Sequence, residues 1–318
     1  MLIGILLISF LVSFVLFPAM IQRLKKANIV GKNMNSKTKE EVAEMGGLVI
    51  VAGFGTGIFT LIAVRTFLNI FISVNLISIS AALLAILIVT LIGIFDDLIS
   101  MPQQIKAWMP ALAALPLIVI QEGNSYINLP FMGNIDFGLL YTLVIIPMEM
   151  TIASNAVNML AGFNGMELGM GIIAMGTLAV IAYSVGKVNV LVILLSAIGA
   201  LLAALYYNWY PAKVLIGDVG TLSIGAIIAT AVIIGNFEIA GAILLIPYII
   251  DFLIKAKNHF PYSFGIYKEG KLYCPGNGPM GLGQLIMKIF NGIEERNLAL
   301  VLMGFEFLLG IIAILLYV

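Results

Sequence analysis

Three polar stretches interrupt an otherwise apolar chain, and each carries residues suited to oxygen-rich ligands. The first is Asn155-Ala-Val-Asn-Met-Leu-Ala-Gly-Phe-Asn-Gly-Met-Glu-Leu-Gly169. It places Asn155, Asn158 and Asn164 between apolar runs that read as membrane-embedded. An amide left unpaired in such surroundings costs roughly 1–3 kcal/mol, so these side chains call for partners or a ligand. Asn155 and Asn158 are three residues apart and share a face on a helix end. Gly162, Gly165 and Gly169 let a backbone approach a ligand closely. A capping turn between two spans is the plainer alternative.

The second stretch is Gly93-Ile-Phe-Asp-Asp-Leu98, where two carboxylates close an apolar run. Adjacent acids on a helix end point in different directions, so one can meet a ligand while a neighbour holds the other. Lys106 follows ten residues on, where a lysine either anchors a membrane helix or contacts a phosphate. The third stretch, Tyr207-Asn-Trp-Tyr-Pro-Ala-Lys-Val-Leu-Ile-Gly-Asp-Val-Gly-Thr221, sets Asp218 immediately before an apolar helix. A carboxylate there can cap the helix, or act as a hard oxygen ligand beside amides that favour phosphate. Together the three stretches offer oxygen ligands, amides, glycines and one lysine, a set suited to Mg²⁺ and a diphosphate.

The elements that must position these residues are membrane helices. The chain has 318 residues, 62% of them hydrophobic and 10% charged, which fits a polytopic membrane protein rather than a soluble domain. Zero net charge with scattered basic residues argues against a nucleic-acid partner. A single cysteine, Cys274, and a single histidine, His259, exclude an intramolecular disulfide and any Cys or multi-His metal cage. The first apolar run lacks a basic leader and reads as a retained span rather than a signal peptide.

At about 20 residues per crossing, ten spans are expected: 2–22, 46–64, 75–95, 107–121, 138–154, 166–185, 188–207, 219–235, 238–256 and 298–317. Pro147 should tilt or kink the fifth. Segment 123–137, with Gly123-Asn124, Pro130 and Gly133-Asn134, reads as a small β-hairpin outside the membrane. Of the 16 Lys and Arg residues, 14 fall on one side and only Arg65 and Lys187 on the other. The rich side is therefore expected in the cytoplasm, with both termini outside. It also gathers the polar loops 23–45, 96–106, 155–165, 208–218 and 257–297, within one domain over residues 1–318. A site built from five loops on one face suits an enzyme better than a channel. No internal repeat marks a secondary transporter, and a lipid-linked-sugar flippase is the rival class.

Four stretches in order carry a family resemblance: Ala43-Glu-Met-Gly-Gly47, Asp96-Asp97 with Lys106, Asn155 to Gly169, and Asn208-Trp-Tyr-Pro-Ala-Lys-Val-Leu-Ile-Gly-Asp218. The chain resembles the polyprenyl-phosphate N-acetylhexosamine-1-phosphate transferases. It is most similar to the branch containing the UDP-GlcNAc:dolichyl-phosphate enzymes, which Lys271-Leu-Tyr and Glu295-Arg-Asn-Leu also resemble. The resemblance implies that an N-acetylhexosamine phosphate passes from a UDP-sugar to dolichyl or another polyprenyl phosphate, opening lipid-linked oligosaccharide synthesis. It implies Mg²⁺ at Asn158 and Asp218, and a diphosphate contact from Lys106. Asn164 and the backbone around Gly162 fall where uridine is read, with Asn155 in the same substrate-binding stretch. Glu44 falls where an acid helps hold the sugar, and Asp96 and Asp97 match a catalytic aspartate pair. A homodimer is a further candidate assembly.

Some positions depart from that pattern. The eukaryotic branch has Arg-His-Arg before a proline in its last cytoplasmic loop, where this chain has Lys257-Asn-His-Phe-Pro261. Lys257 and His259 are the expected substitutes. Members that transfer phospho-MurNAc-pentapeptide carry a histidine-rich motif that a chain with one histidine cannot supply. Ser100 stands where the eukaryotic enzyme has asparagine. Gly53-Phe-Gly-Thr-Gly57 lies inside a span and reads as helix packing rather than a phosphate loop. Asp251 and Lys255, one turn apart, are expected to pair.

Overall fold

A computed structural model of the chain describes residues 2–36, 38–129 and 133–317; Lys37, one of the 14 basic residues counted on the rich side, and Pro130 lie outside them. A backbone in lipid must satisfy its own N–H and C=O groups, so the long apolar stretches become helices. In order these are α1 (Leu2–Lys26), α2 (Gly47–Leu68), α3 (Leu76–Ile99), α4 (Gln103–Ala113), α5 (Leu115–Val119), α6 (Ile146–Leu160), α7 (Met166–Ser184), α8 (Val188–Asn208), α9 (Gly217–Gly235), α10 (Glu238–Leu244), α11 (Ile246–Lys257), α12 (Leu282–Ile289) and α13 (Glu295–Tyr317). The protein is an all-α polytopic membrane protein. Among the described residues eight helical segments are long and apolar enough to cross a bilayer, and the bent pair α10–α11 would make a ninth.

Proline explains where the expected spans are interrupted. A proline has no N–H for the carbonyl four residues back, which favours a break or a widened turn near it, although α1 and α4 run on through Pro18 and Pro110. Expected span 107–121 is divided into α4 and the five-residue α5, with Pro116 just past the break at Ala114. Expected span 238–256 divides at Leu245, two residues before Pro247, and its halves meet at 55°. Near Pro147 the feature observed is a widened turn inside one continuous span, Tyr141–Leu160. The preceding residues Tyr141–Ile145 form a wide π-helical turn, closed by the Ile146 N–H donating to Tyr141 O. Such a widened turn re-pairs carbonyls that the proline cannot serve.

The bundle is arranged around α9. Of its span, 89% is buried, against 22% for α1 at the periphery. Helices α2, α3, α6, α7, α8 and α10 all pack on it. On the other side α1, α2 and α8 form a close trio. Gly53 and Gly57 meet Ser9, Ser13 and Ser196 there, and Gly199 meets the backbone of Leu6. The run Gly53–Gly57 therefore serves helix packing, as its place inside a span suggested.

Among the described residues there are also three two-stranded antiparallel hairpins: β1 (Val30–Lys32) with β2 (Glu41–Ala43), β3 (Tyr126–Leu129) with β4 (Gly133–Asp136), and β5 (Ile266–Lys268) with β6 (Lys271–Tyr273). The middle one is the hairpin expected at 123–137. The other two lie within the loops at the opposite end. Their strands are three residues long and charged, too short to leave an alternating pattern. The β5–β6 turn, Glu269-Gly270, has positive φ at both residues, the geometry of a two-residue hairpin turn.

Candidate active site

The five polar loops meet at one end of the bundle. Loop 23–45 joins loop 208–218 through backbone pairing: Leu215 N–H donates to Ala43 O at 2.7 Å, and Gly46 and Gly47 N–H donate to Leu215 and Ile216 carbonyls at 2.9 Å. This pairing fixes Glu44 beside the start of α9. Helices α2 and α3 also approach that start closely. Gly47 abuts the backbone of Gly220, and a Cβ on Gly93 would lie 2.5 Å from Val219 Cα.

The aspartate pair divides its labour. Asp97 accepts from the backbone N–H groups of Asp218 (2.8 Å) and Val219 (3.1 Å). It thus caps α9 from a neighbouring helix, satisfying two N–H groups that a helix start leaves unpaired. Gly217 makes this possible. Its φ is +69°, and a Cβ there would lie 2.5 Å from Asp97 Oδ2. Asp96 instead pairs with Lys106, and its other oxygen accepts from Met101 N–H at 2.7 Å.

Lys106 is buried and bridges two acids, its Nζ lying against Asp96 Oδ2 and 2.5 Å from Asp218 Oδ2. Burial alone would pull the Lys106 pKa down, but the Asp218 and Asp96 carboxylates outweigh it and hold the ammonium above its ordinary value. Burial, and then the Asp218 charge, push the Glu44 carboxyl up. Among the described residues, four acids, Glu44, Asp96, Asp97 and Asp218, thus gather around the Lys106 ammonium, which leaves acids in excess there. Among the described residues, no three Asp, Glu, His or Cys side chains converge as a metal cage. A cation here would need to complete its shell with amide, water and substrate oxygens, the habit of Mg²⁺.

Asn155 and Asn158 enter from α6. Asn155 Nδ2 donates to Ala107 O at 3.0 Å and to Thr151 O at 2.9 Å, so its donor side braces α4 next to Lys106. Gly225 of α9 packs backbone to backbone on Ala153 and Ser154 of α6. One turn closer to the loops, α6 carries Asn158, which is half-buried.

The second half of the site is the turn between α6 and α7. Gly162 and Gly165 there have φ of +136° and +77°. Asn35 Nδ2 donates to Gly162 O (2.7 Å), Asn164 N–H donates to Glu295 Oε1 (2.8 Å), and Gly165 N–H donates to Asn208 Oδ1 (2.8 Å). Asn208 Nδ2 also donates to Val214 O at 2.8 Å, tying this turn to loop 208–218. The Asn164 side chain is buried, and its Nδ2 has no hydrogen-bond partner among the described residues. A donor so placed is costly unless a ligand meets it.

Not every expected residue joins these two groups. Lys257 and His259 are exposed where α11 ends, and neither forms an ion pair or hydrogen bond with the acids among the described residues. Lys255 is the buried lysine of that helix. It pairs with Asp251 at 2.8 Å, as their spacing suggested, and donates to Met159 O. Asn35 and Glu295 were not singled out individually from the sequence. Their partners lie 127 and 131 residues away, and no local pattern reveals such pairing.

Comparison with known proteins bears directly on this arrangement. The model of glycosyl transferase family 4 matches residues 79–236, a segment that holds both aspartates, Lys106, the asparagine stretch and Asp218. A Saccharolobus solfataricus protein, provisionally named a UDP-N-acetylglucosamine–dolichyl-phosphate N-acetylglucosaminephosphotransferase, is 39% identical over 319 residues, covering 98% of this chain and 95% of its own. A Dictyostelium discoideum protein named for the same activity is 23% identical over 347 residues, covering 93% of this chain and 83% of its own. A phospho-N-acetylmuramoyl-pentapeptide-transferase of Streptococcus pyogenes is 31% identical over 283 residues, covering 83% of this chain and 82% of its own. With relatives aligned along almost its whole length and the family model spanning its charged corner, the chain belongs to glycosyl transferase family 4.

Proposed function

We propose that the protein transfers N-acetylglucosamine-1-phosphate from UDP-GlcNAc to a polyprenyl phosphate of the dolichyl type and releases UMP. The names of its relatives support both substrates. The observation that carries the reading is the juxtaposition at the start of α9. A buried lysine bridging two acids sits there, linked through Asn208 to a turn with one unpartnered amide. A channel or flippase has no need of that pairing.

An oxygen of the lipid phosphate attacks the sugar-bearing phosphorus, the bond from that phosphorus to the UMP oxygen breaks, and UMP leaves. A phosphate monoester has its second pKa near about 6. The nucleophile is therefore largely dianionic at neutral pH without a strong general base. The harder task is to bring several negative charges together, and here the residues divide the work. Lys106 offers its ammonium to the diphosphate, with Asp96 and Asp218 fixing its position. Asp97 keeps α9, and so Asp218, in place. Asn164 offers an amide that both donates and accepts, the pattern needed to read a uracil edge. Glu44 faces the same corner and is suited to a sugar hydroxyl or amide. A sugar contact from Lys257 and His259 is supported by the family resemblance alone, since both side chains lie exposed at the end of α11. Asn158 and Asp218 would hold Mg²⁺, which when bound neutralises diphosphate charge.

The test is release of UMP from UDP-GlcNAc by purified protein, with and without polyprenyl phosphate and Mg²⁺. Release that needs both supports the reading, and lipid-sugar movement without UMP release would replace it with the flippase class. The loop face is proposed to be cytoplasmic, supported by its excess of Lys and Arg. In a Cys274→Ser background, a cysteine at Ser36 or Tyr267 should resist an impermeant thiol reagent in intact cells. Ready labelling of both would reverse the orientation.

A further inference from the structure

Asn35 belongs to no motif singled out in the sequence, yet only 2% of it is exposed and it touches both sides of the proposed nucleotide pocket. Its Nδ2 donates to Gly162 O at 2.7 Å, and its Oδ1 accepts from Gly265 N–H at 3.3 Å. One amide therefore joins the α6–α7 turn to the last polar loop, 230 residues away from Asn35. Phe264, next to Gly265, is held through its carbonyl by the buried Gln284 at 2.9 Å, and its ring lies 3.8 Å from where a Gly162 Cβ would be. Beside Asn35, the Glu295 carboxylate takes the backbone N–H of Asn164 at 2.8 Å. The two successive peptide groups that lead into the unpartnered Asn164 amide are thus pinned by two side chains remote in sequence.

Resting on the reading of Asn164 as the uracil contact, we propose that Asn35 is a positioning residue for UDP-sugar binding. It locks the Gly162–Asn164 turn against the last loop so that the Asn164 amide is presented ready-made to the base. The physical reason is the turn itself. With two glycines at positive φ, residues 162–165 have wide backbone freedom, and a binding amide on such a turn works only if other groups remove that freedom. Asn35 supplies the donor, and Glu295 the acceptor, that do so.

The test uses the full-length enzyme and compares Asn35→Ala, Asn164→Ala and the double variant. Asn35→Ala should raise KM for UDP-GlcNAc about tenfold, the effect of one lost buried hydrogen bond, while KM for polyprenyl phosphate stays within about twofold. Asn35→Asp keeps the acceptor for Gly265 N–H but loses the donor to Gly162 O, and should be at least as impaired as Asn35→Ala. If Asn35 acts through Asn164, the double variant should match Asn164→Ala, because groups that act as a unit are not additive. Effects that multiply, or a rise in both KM values together, would overturn the proposal. An Asn164→Ala enzyme with normal UDP-GlcNAc binding would instead remove the uracil reading and this proposal with it. A normal Asn35→Ala enzyme beside an impaired Asn164→Ala enzyme would remove the positioning role alone. Should Asn35→Ala fail to fold, Glu295→Gln, which keeps an acceptor for Asn164 N–H, should raise KM for UDP-GlcNAc far less than Glu295→Ala. Equal effects of those two would overturn the idea.

Discussion

The two halves of the site are held by different forces. At the start of α9 the organising interactions are charges: Lys106 between Asp96 and Asp218, with Asp97 on the helix N–H groups. In the turn at 162–165 they are neutral amides and one carboxylate gripping backbone groups, with one side-chain donor left over. Charge fixed in a buried corner acts most strongly where charge moves during a reaction. Hydrogen bonds to a turn fix a shape, and shape decides which molecule enters. The first half should therefore govern turnover and the second should govern affinity for the UDP-sugar.

Lys106→Met should be the most damaging change. It leaves two acids facing each other without their cation, a loss that costs about 3–5 kcal/mol of stability in buried pairs. Turnover should fall by about a thousandfold, the upper range for losing one well-placed electrostatic group. UMP release and a thermal melt in detergent read both effects. Asp218→Asn keeps the shape and removes a charge, and should lower turnover about a hundredfold. Raised Mg²⁺ should restore part of it. If either variant changed only KM for UDP-GlcNAc, the division between the halves would be wrong.

Asn164→Ala should do the reverse, raising KM for UDP-GlcNAc about tenfold with little change in KM for polyprenyl phosphate. Gly217→Ala should show the smallest kinetic change and a distinct structural one. At φ +69° an alanine costs about 1–2 kcal/mol, and its Cβ would press on the Asp97 cap, so the melting temperature should drop. Asp97→Ala should lower it by a comparable amount through loss of the cap. A Gly217→Ala protein as stable as the parent would dissociate Asp97 from the support of α9.

Much of this was legible in the sequence because it is written locally. Hydropathy and the Lys/Arg asymmetry located the long helices and the five loops that meet at one end. Residue type alone marked Asp96, Asp97, Lys106 and Asp218 as a set. What could not be read was which acid does what, since Asp97 finds its partners 121 and 122 residues away. The same distance hides Asn35 and Glu295. Pro116 and Pro247 interrupt their helices for the reason that made Pro147 suspect, but hydropathy averages over such breaks and returned single spans. The short hairpins at 30–43 and 266–273 escaped because three-residue strands carry too few residues for a period.

The measurement closest to the central claim is UMP release from UDP-GlcNAc by the purified protein, with polyprenyl phosphate titrated in and Mg²⁺ present or chelated. The account predicts saturable release that rises with lipid phosphate, stops on chelation, and falls about a hundredfold in Asp218→Asn. UMP release indifferent to lipid phosphate, or an Asp218→Asn protein that folds and turns over normally at sub-millimolar Mg²⁺, would contradict it.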